Sequence, residues 1–217
     1  IETRLNNFFH AADWLVNNLE QNSLKIPVWN HYFDFEYRDT LKSPWYSGLA
    51  QGLGISVLLR AYKKTNNEKY LDAYYDAWKS MTTTIDEGGV IYIDKNQNYW
   101  IEEYIVNPPT HILNGFIWAL WGVYDTWKFL DSQQAKNLFK KCCRTLELNI
   151  DKYDHGYWSL YEQANVKLPM IASPFYHRLH IVQLKILSKL SGIQQFQDTV
   201  EKWESYTSNR FNRYRAF

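Results

Sequence analysis

The sequence predicts a mainly α fold: helix pairs that curl into an incomplete (α/α) toroid of about seven helices, with short β-hairpins along one rim. Three observations carry that expectation. Long apolar-periodic runs follow Ser43-Pro44, Asn107-Pro108 and Ser173-Pro174, with the prolines 64 and 66 residues apart. Each run is followed by a short polar break and a second amphipathic run. Segments rich in β-branched and aromatic residues separate the pairs. One such unit cannot bury its own apolar face, so neighbouring units must stack.

The elements follow in order. RLNNFFHAADWLVNNL (4–19) reads as an amphipathic opening helix, and IPVWNHYFDFEY (26–37) as a first hairpin. Ser or Asn before Pro signals an N-cap and a first helical turn. Each such dipeptide is therefore expected to open an inner helix of roughly 18 residues. In the second of these, Leu113, Phe116, Ile117, Leu120, Tyr124 and Trp127 recur at three- and four-residue steps, the spacing of one helical face. The breaks KKTNN, LDSQQ and LSG lead into outer helices at about 67–81, 133–148 and 193–206. GGVIYIDKNQNYWIEEY (88–104) is the clearest hairpin, with its turn near Asn96, and HGYWSLYEQA (155–164) is the third. One domain is expected over 1–217, with the opening helix and first hairpin in 1–40 and the helix pairs in 41–209.

Composition narrows the partners. With 24 basic and 23 acidic residues, the net charge of +1 carries no nucleic-acid or polyanion signature, so an acidic partner must meet a local patch. The three arginines of the final RFNRYRAF are expected to be solvated. Cys142 and Cys143 are neighbours on a predicted helix, which suits buried thiols in a reducing compartment rather than a disulfide framework. No apolar run of about 18 residues marks a membrane span, and the first residues do not resemble a signal peptide. Aromatic residues make up 18% of the chain. So many Tyr and Trp, each an apolar body with a polar tip, suit a wet sugar-binding cleft as well as a core.

Inner-helix starts and hairpins should converge on one rim, where helix N-termini favour anions. Two residues past the prolines lie Tyr46, Thr110 and Tyr176; six past lie Ala50, Asn114 and His180. Polar side chains there, Gln51 and Asn114 among them, either tether loop backbone or line a cavity. His177 and His180, at i and i+3, lack an evident third metal ligand and read first as a hydrogen-bonded pair. Glu102 and Glu103 stand in an extended segment, where neighbours point to opposite faces, so one should face solvent and the other the cleft.

WYSGLAQGLGISVLLRAY (45–62), WIEEYIVNPPTHILNGFIWALWGVYD (100–125) and FYHRLHIVQLKIL (175–187) resemble the C-terminal α-helical domain of D-glucuronyl C5-epimerases. These are enzymes of heparan sulfate and heparin-type polysaccharide synthesis. The likeness runs from about Asn6 to about Tyr206. It implies an α/α toroid that inverts C5 of D-glucuronate to L-iduronate within an acidic, uronate-containing polymer. It implies catalytic or substrate-contact roles for Glu103 and Tyr104 of EEY, Tyr161 of SLYEQA and Tyr176 of YHRLH. Trp100, Tyr46, Gln51, Asn114, His177, Arg178 and His180 complete the expected substrate surface. No cofactor, metal or nucleic acid is expected, and a homodimer stands among the expected assemblies. Longer members also carry β-rich domains and a membrane anchor.

Two departures stand out. Ala164 occupies the place, three residues after Tyr161, where members often carry an arginine that can hold the uronate carboxylate. Ile105 replaces a common proline. Carboxylate binding is then expected from elsewhere, with Arg178 and Arg60 as candidates.

Removing the C5 hydrogen builds negative charge beside a carboxylate. A base must act on one face, an acid on the other, and donors must hold the intermediate. Glu103 and Tyr176 suit the two faces, with Tyr104 and Tyr161 as hydrogen-bond donors. Three rivals share these residues. A lyase begins with the same proton removal, and a glycan-binding module needs no base. A hydrolase would pair carboxylates from DFE (34–36) and Glu102 or Glu103 at roughly 6.5–9.5 Å.

Overall fold

The protein is described by a computed structural model over residues 2–164 and 167–216; Ile1 and Phe217, ends of the expected 1–217 domain, lie outside the described residues. The inner helices are α2 (Gly48–Thr65), α4 (Leu113–Leu130) and α6 (Pro174–Ser191), each of 18 residues. The outer helices are α3 (Glu68–Thr82), α5 (Gln133–Asn149) and α7 (Gln194–Ser208). The opening helix α1 (Glu2–Asn17) packs on α2 and α3, and α4 packs between α2 and α6. This is an incomplete (α/α) toroid. Among the described residues none of its helices is long and apolar enough to cross a membrane. An eighth helix, α8 (Arg210–Ala216), forms where a solvated tail was expected. Arg210 and Arg213 are exposed there, while Arg215 lies 4.0 Å from the Tyr157 ring centre.

The three helix pairs turn in the same way. Each inner helix ends on a left-handed residue: Asn66 (φ 54°), Asp131 (φ 49°) or Gly192 (φ 75°). That conformation stops the helix, and Asn, Asp and Gly adopt it most readily. The next residue starts the outer helix. Asn67 accepts from the Lys69 N–H and Ser132 from the Ala135 N–H.

Small residues set the distance between α2 and α4. A Cβ at Gly52 would lie 2.5 Å from Ala119 Cα, and one at Gly122 would lie 2.1 Å from the Gly52 carbonyl oxygen. Further along this seam Arg60 and Ser56 bind the buried carboxylate of Asp125. Arg60 is thereby corrected as a candidate for the substrate carboxylate. Though exposed, it is paired with Asp125 and stands about 18 Å along α2 from its start.

Much of the aromatic excess is core: Trp100, Trp158, Trp203, Tyr74 and Tyr153 are fully buried. Cys142 and Cys143 are buried free thiols on α5, and burial raises both pKa values.

The rim differs from expectation at three points. Only Ser173-Pro174 opens a helix as read, with Ser173 capping the Tyr176 N–H. The Ser43-Pro44 and Asn107-Pro108 bonds are cis and precede their helices by several residues. Ser47 caps α2 instead, accepting from Ala50 N–H. The first hairpin is two short ladders. One pairs β1 (Glu20–Gln21) with β2 (Pro27–Val28), and the other pairs β3 (Phe35–Glu36) with β4 (Thr40–Leu41). The second is a regular hairpin of β5 (Ile91–Ile93) and β6 (Tyr99–Ile101). Among the described residues the third holds only isolated bridges, Asp154 with Ser159 and Leu160 with Ile171.

Candidate active site

A helix start leaves backbone N–H groups without helical partners. The rim segments satisfy them in a repeated manner. The Gly48 N–H at the start of α2 donates to the Glu102 carbonyl (2.9 Å), and the Leu113 N–H at the start of α4 donates to the Tyr161 carbonyl (3.1 Å). The same bond, made in consecutive repeats, brings EEY and SLYEQA to one edge. Gly115 then admits Glu103: a Cβ at this position would lie 1.9 Å from Glu103 Oε2. The carboxylate rests directly on the first turn of α4.

Glu103, Tyr104, Tyr161 and Tyr176 form one chain of side-chain contacts, Glu103 to Tyr104, Tyr104 to Tyr161 and Tyr161 to Tyr176. The Tyr161 and Tyr176 rings meet edge-on at 4.8 Å. Burial pushes the Glu103 carboxyl up to about 7, while its contact with Tyr104 pulls the other way. The α4 N-terminus beneath it also favours the anion. Burial, and then the charge of Glu103, raise Tyr104 and Tyr161 far above the usual phenol range.

The cluster has a roof and an open edge. Rings of Tyr37, Phe35 and Trp45 lie 4.7, 5.4 and 5.7 Å from the Tyr104 ring. Tyr161 and Tyr176 are half-buried and form the open side. Tyr37 Oη, Glu103 Oε2, Thr110 Oγ1, Asn114 Oδ1 and Glu162 Oε2 are buried with no hydrogen-bond partner among the described residues. Native interiors leave few such groups. Here five stand on the rim segments and the start of α4. Three of the five are acceptors and two are hydroxyls, an inventory that suits hydroxyl groups as partners.

The remaining expected residues divide by what they touch. Asn114 keeps an unpartnered side-chain oxygen, and its carbonyl accepts from the Gln183 side chain at 3.0 Å. Gln51 instead clamps the Trp29 backbone, accepting from its N–H at 2.9 Å and donating to its carbonyl at 3.1 Å. The Tyr46 hydroxyl donates to the Gly88 carbonyl at 3.1 Å. Trp100 is buried, with its ring stacked on His111 at 4.1 Å. Glu102 corrects the alternation argument, because it is as buried as Glu103 and does not face solvent. It binds the backbone N–H of His111 at 3.1 Å and that ring's Nδ1 at 2.5 Å. His177 and His180 both turn Nδ1 to Ser159 Oγ, at 2.8 and 3.0 Å, inside the core. Burial lowers their pKa values to about 4 and about 3, so both are neutral at neutral pH. Arg178 is exposed and two residues past Tyr176, a step that does not share a helix face. Of the carboxylates in DFE, Asp34 is paired with Lys42 and Glu36 accepts from Thr40, both at the surface.

Two partners escaped the sequence reading. His111 fixes Glu102, and Arg38 reaches across 124 residues to Glu162, its Nε 2.6 Å from Oε1 and its Nη2 on the same oxygen. Arg38 follows the alternating Phe33, Phe35 and Tyr37, and Glu162 follows Tyr161. Those neighbours were the available signal, but the pairing itself is long-range.

The family described as "D-glucuronyl C5-epimerase C-terminus" matches residues 21–205. The chain is 33% identical over 215 residues to the D-glucuronyl C5-epimerase of Caenorhabditis elegans, covering 92% of this chain and 34% of that protein. Its fold is similar to that of a glycoside hydrolase family 76 mannosidase from Bacteroides thetaiotaomicron, with a TM-score of 0.57 at 14% identity over 92% of this chain and 52% of that one. A cellobiose 2-epimerase from Spirochaeta thermophila gives a TM-score of 0.53 at 11% identity, over 91% and 53% of the two chains. The chain thus spans about a third of its nematode relative and about half of either solved structure. With its helical repeats and its EEY, SLYEQA and YHRLH segments gathered at one rim, the chain belongs to the D-glucuronyl C5-epimerase C-terminal domain family.

Proposed function

We propose that this chain, a single α/α-toroid domain, carries the proton-transfer site of a uronate C5-epimerase acting on glucuronate units of an acidic polysaccharide. The observation that supports this best is the joining of Glu103, Tyr104, Tyr161 and Tyr176, drawn from three rim segments, around a buried carboxylate poised near pH 7. A carboxylate of that pKa is a stronger base than an exposed glutamate, yet still ionises at neutral pH.

Glu103 takes the C5 proton from one face. Tyr176, at the open edge, returns a proton to the other. The hydroxyls of Tyr104 and Tyr161, held protonated by burial, donate to the oxygens on which charge develops. Family membership supports the same assignment.

The test is solvent deuterium entry at C5 of a glucuronate polymer with wild type, Glu103→Gln and Tyr176→Phe. Each variant should lose about 100-fold or more of the exchange rate. Near-wild-type exchange in both would sink the assignment.

A further inference from the structure

Arg38 is linked to the proposed site through its chain neighbour Tyr37 and its partner Glu162. Removing a proton next to a carboxylate builds charge that a cation there offsets, beside the donors Tyr104 and Tyr161. Ala164 supplies no cation, Arg60 is bound to Asp125, and Arg178 is exposed on another face of α6. Lys42, in the same segment as Arg38, is paired with Asp34. Arg38 lies between two routes into the cluster. Tyr37, its neighbour in the chain, places its ring 4.7 Å from Tyr104. Glu162, its ion-pair partner, follows Tyr161.

We propose that Arg38 binds the carboxylate of the uronate unit and is held in place for this by Glu162. The inference rests on the uronate reading above and names the group that recognises the acid. The fork geometry supports it. Nε and Nη2 both serve Glu162 Oε1, while Nη1 makes no hydrogen bond among the described residues. The Glu162 side chain is 1% exposed and that of Arg38 is 27% exposed. The guanidinium therefore has one edge fixed in the protein, and the side chain stays partly exposed. Planar guanidinium binds carboxylates in this manner with fixed orientation. A buried carboxylate that anchors the arginine also limits the entropy lost when the substrate arrives.

Heparosan, a glucuronate polymer, and its carboxyl-reduced form are the probes, and the readout is the ratio of their Kd values at constant low salt. Arg38→Ala alone would strand a buried Glu162 charge and can unfold the chain. The informative variants are therefore Glu162→Gln, which keeps the guanidinium, and Arg38→Gln combined with Glu162→Gln. Wild type and Glu162→Gln should favour heparosan over its reduced form. The double variant should lose about ten- to a hundred-fold of that preference. A folded double variant with the wild-type ratio would overturn the proposal and leave the ion pair a structural latch. A wild-type ratio near one would overturn it as well. Because binding is read without turnover, failure of C5 exchange alone would count against the epimerase reading and leave Arg38 standing.

Discussion

Glu103 is the base in the proposed chemistry, and its environment makes two separable predictions. Burial raises its pKa from 4.5 to about 7. The unfolded chain thus releases this proton near 4.5, whereas the folded chain keeps it until about 7. The stability it contributes is full below about 4.5 and is lost as pH rises toward 7 and beyond. Glu103→Gln removes that loss. Relative to wild type, the variant should gain up to about 3 kcal/mol between pH 4 and pH 8, read from denaturant unfolding at both values. In activity the sign is opposite: kcat/KM of wild type should rise with pH through about 7, as the base ionises. A flat profile from pH 5 to pH 8 would remove Glu103 as the base. The four-residue cluster was legible in the sequence because each member sits in a motif of fixed order. Arg38 was not, because it stands outside those motifs and its partner Glu162, which follows Tyr161 in SLYEQA, is 124 residues away.

At the scale of elements, glycines decide how closely parts approach. Gly115→Ala would put a methyl carbon where Glu103 Oε2 now lies, since the built Cβ is 1.9 Å away. The carboxylate must swing off α4. C5 exchange should fall about 100-fold while the circular dichroism of the helices persists. Gly52→Ala acts elsewhere. It forces α2 from α4 and should cost about 1–3 kcal/mol in unfolding experiments, with exchange by the folded fraction retained. Helix pairs were legible from apolar periodicity and from the polar breaks KKTNN, LDSQQ and LSG, in which Asn66, Asp131 and Gly192 stop the inner helices by local conformation. The proline dipeptides misled at Pro44 and Pro108 because X-Pro marks loops as well as first turns, and the capping hydroxyl at α2 is Ser47. The third hairpin was misread because Leu160 and Tyr161 pair with Ile171 and Met170, beyond the local turn.

Over the whole molecule, three repeats each contribute a rim segment, and the site exists only where these segments meet. Two cavities lie away from the cluster. One of about 410 Å³ between α1 and α2 is lined by Trp14, Leu53 and Val57, and one of about 380 Å³ is bounded by Thr82, Tyr99 and Leu138. Phe35, Tyr37 and Trp45 pack against the Tyr104 ring, so a polymer bound at the cluster is expected to lie against residues 33–45. Hydrogen exchange in that segment should slow on addition of heparosan, and unchanged exchange there would place binding elsewhere. The most direct test of the proposed chemistry is proton NMR of heparosan incubated with the wild-type chain in deuterated water. The predicted result is loss of the C5 proton signal and growth of iduronate signals, with no alkene proton. An intact C5 signal under conditions where the chain binds the polymer would contradict it, as would an unsaturated product.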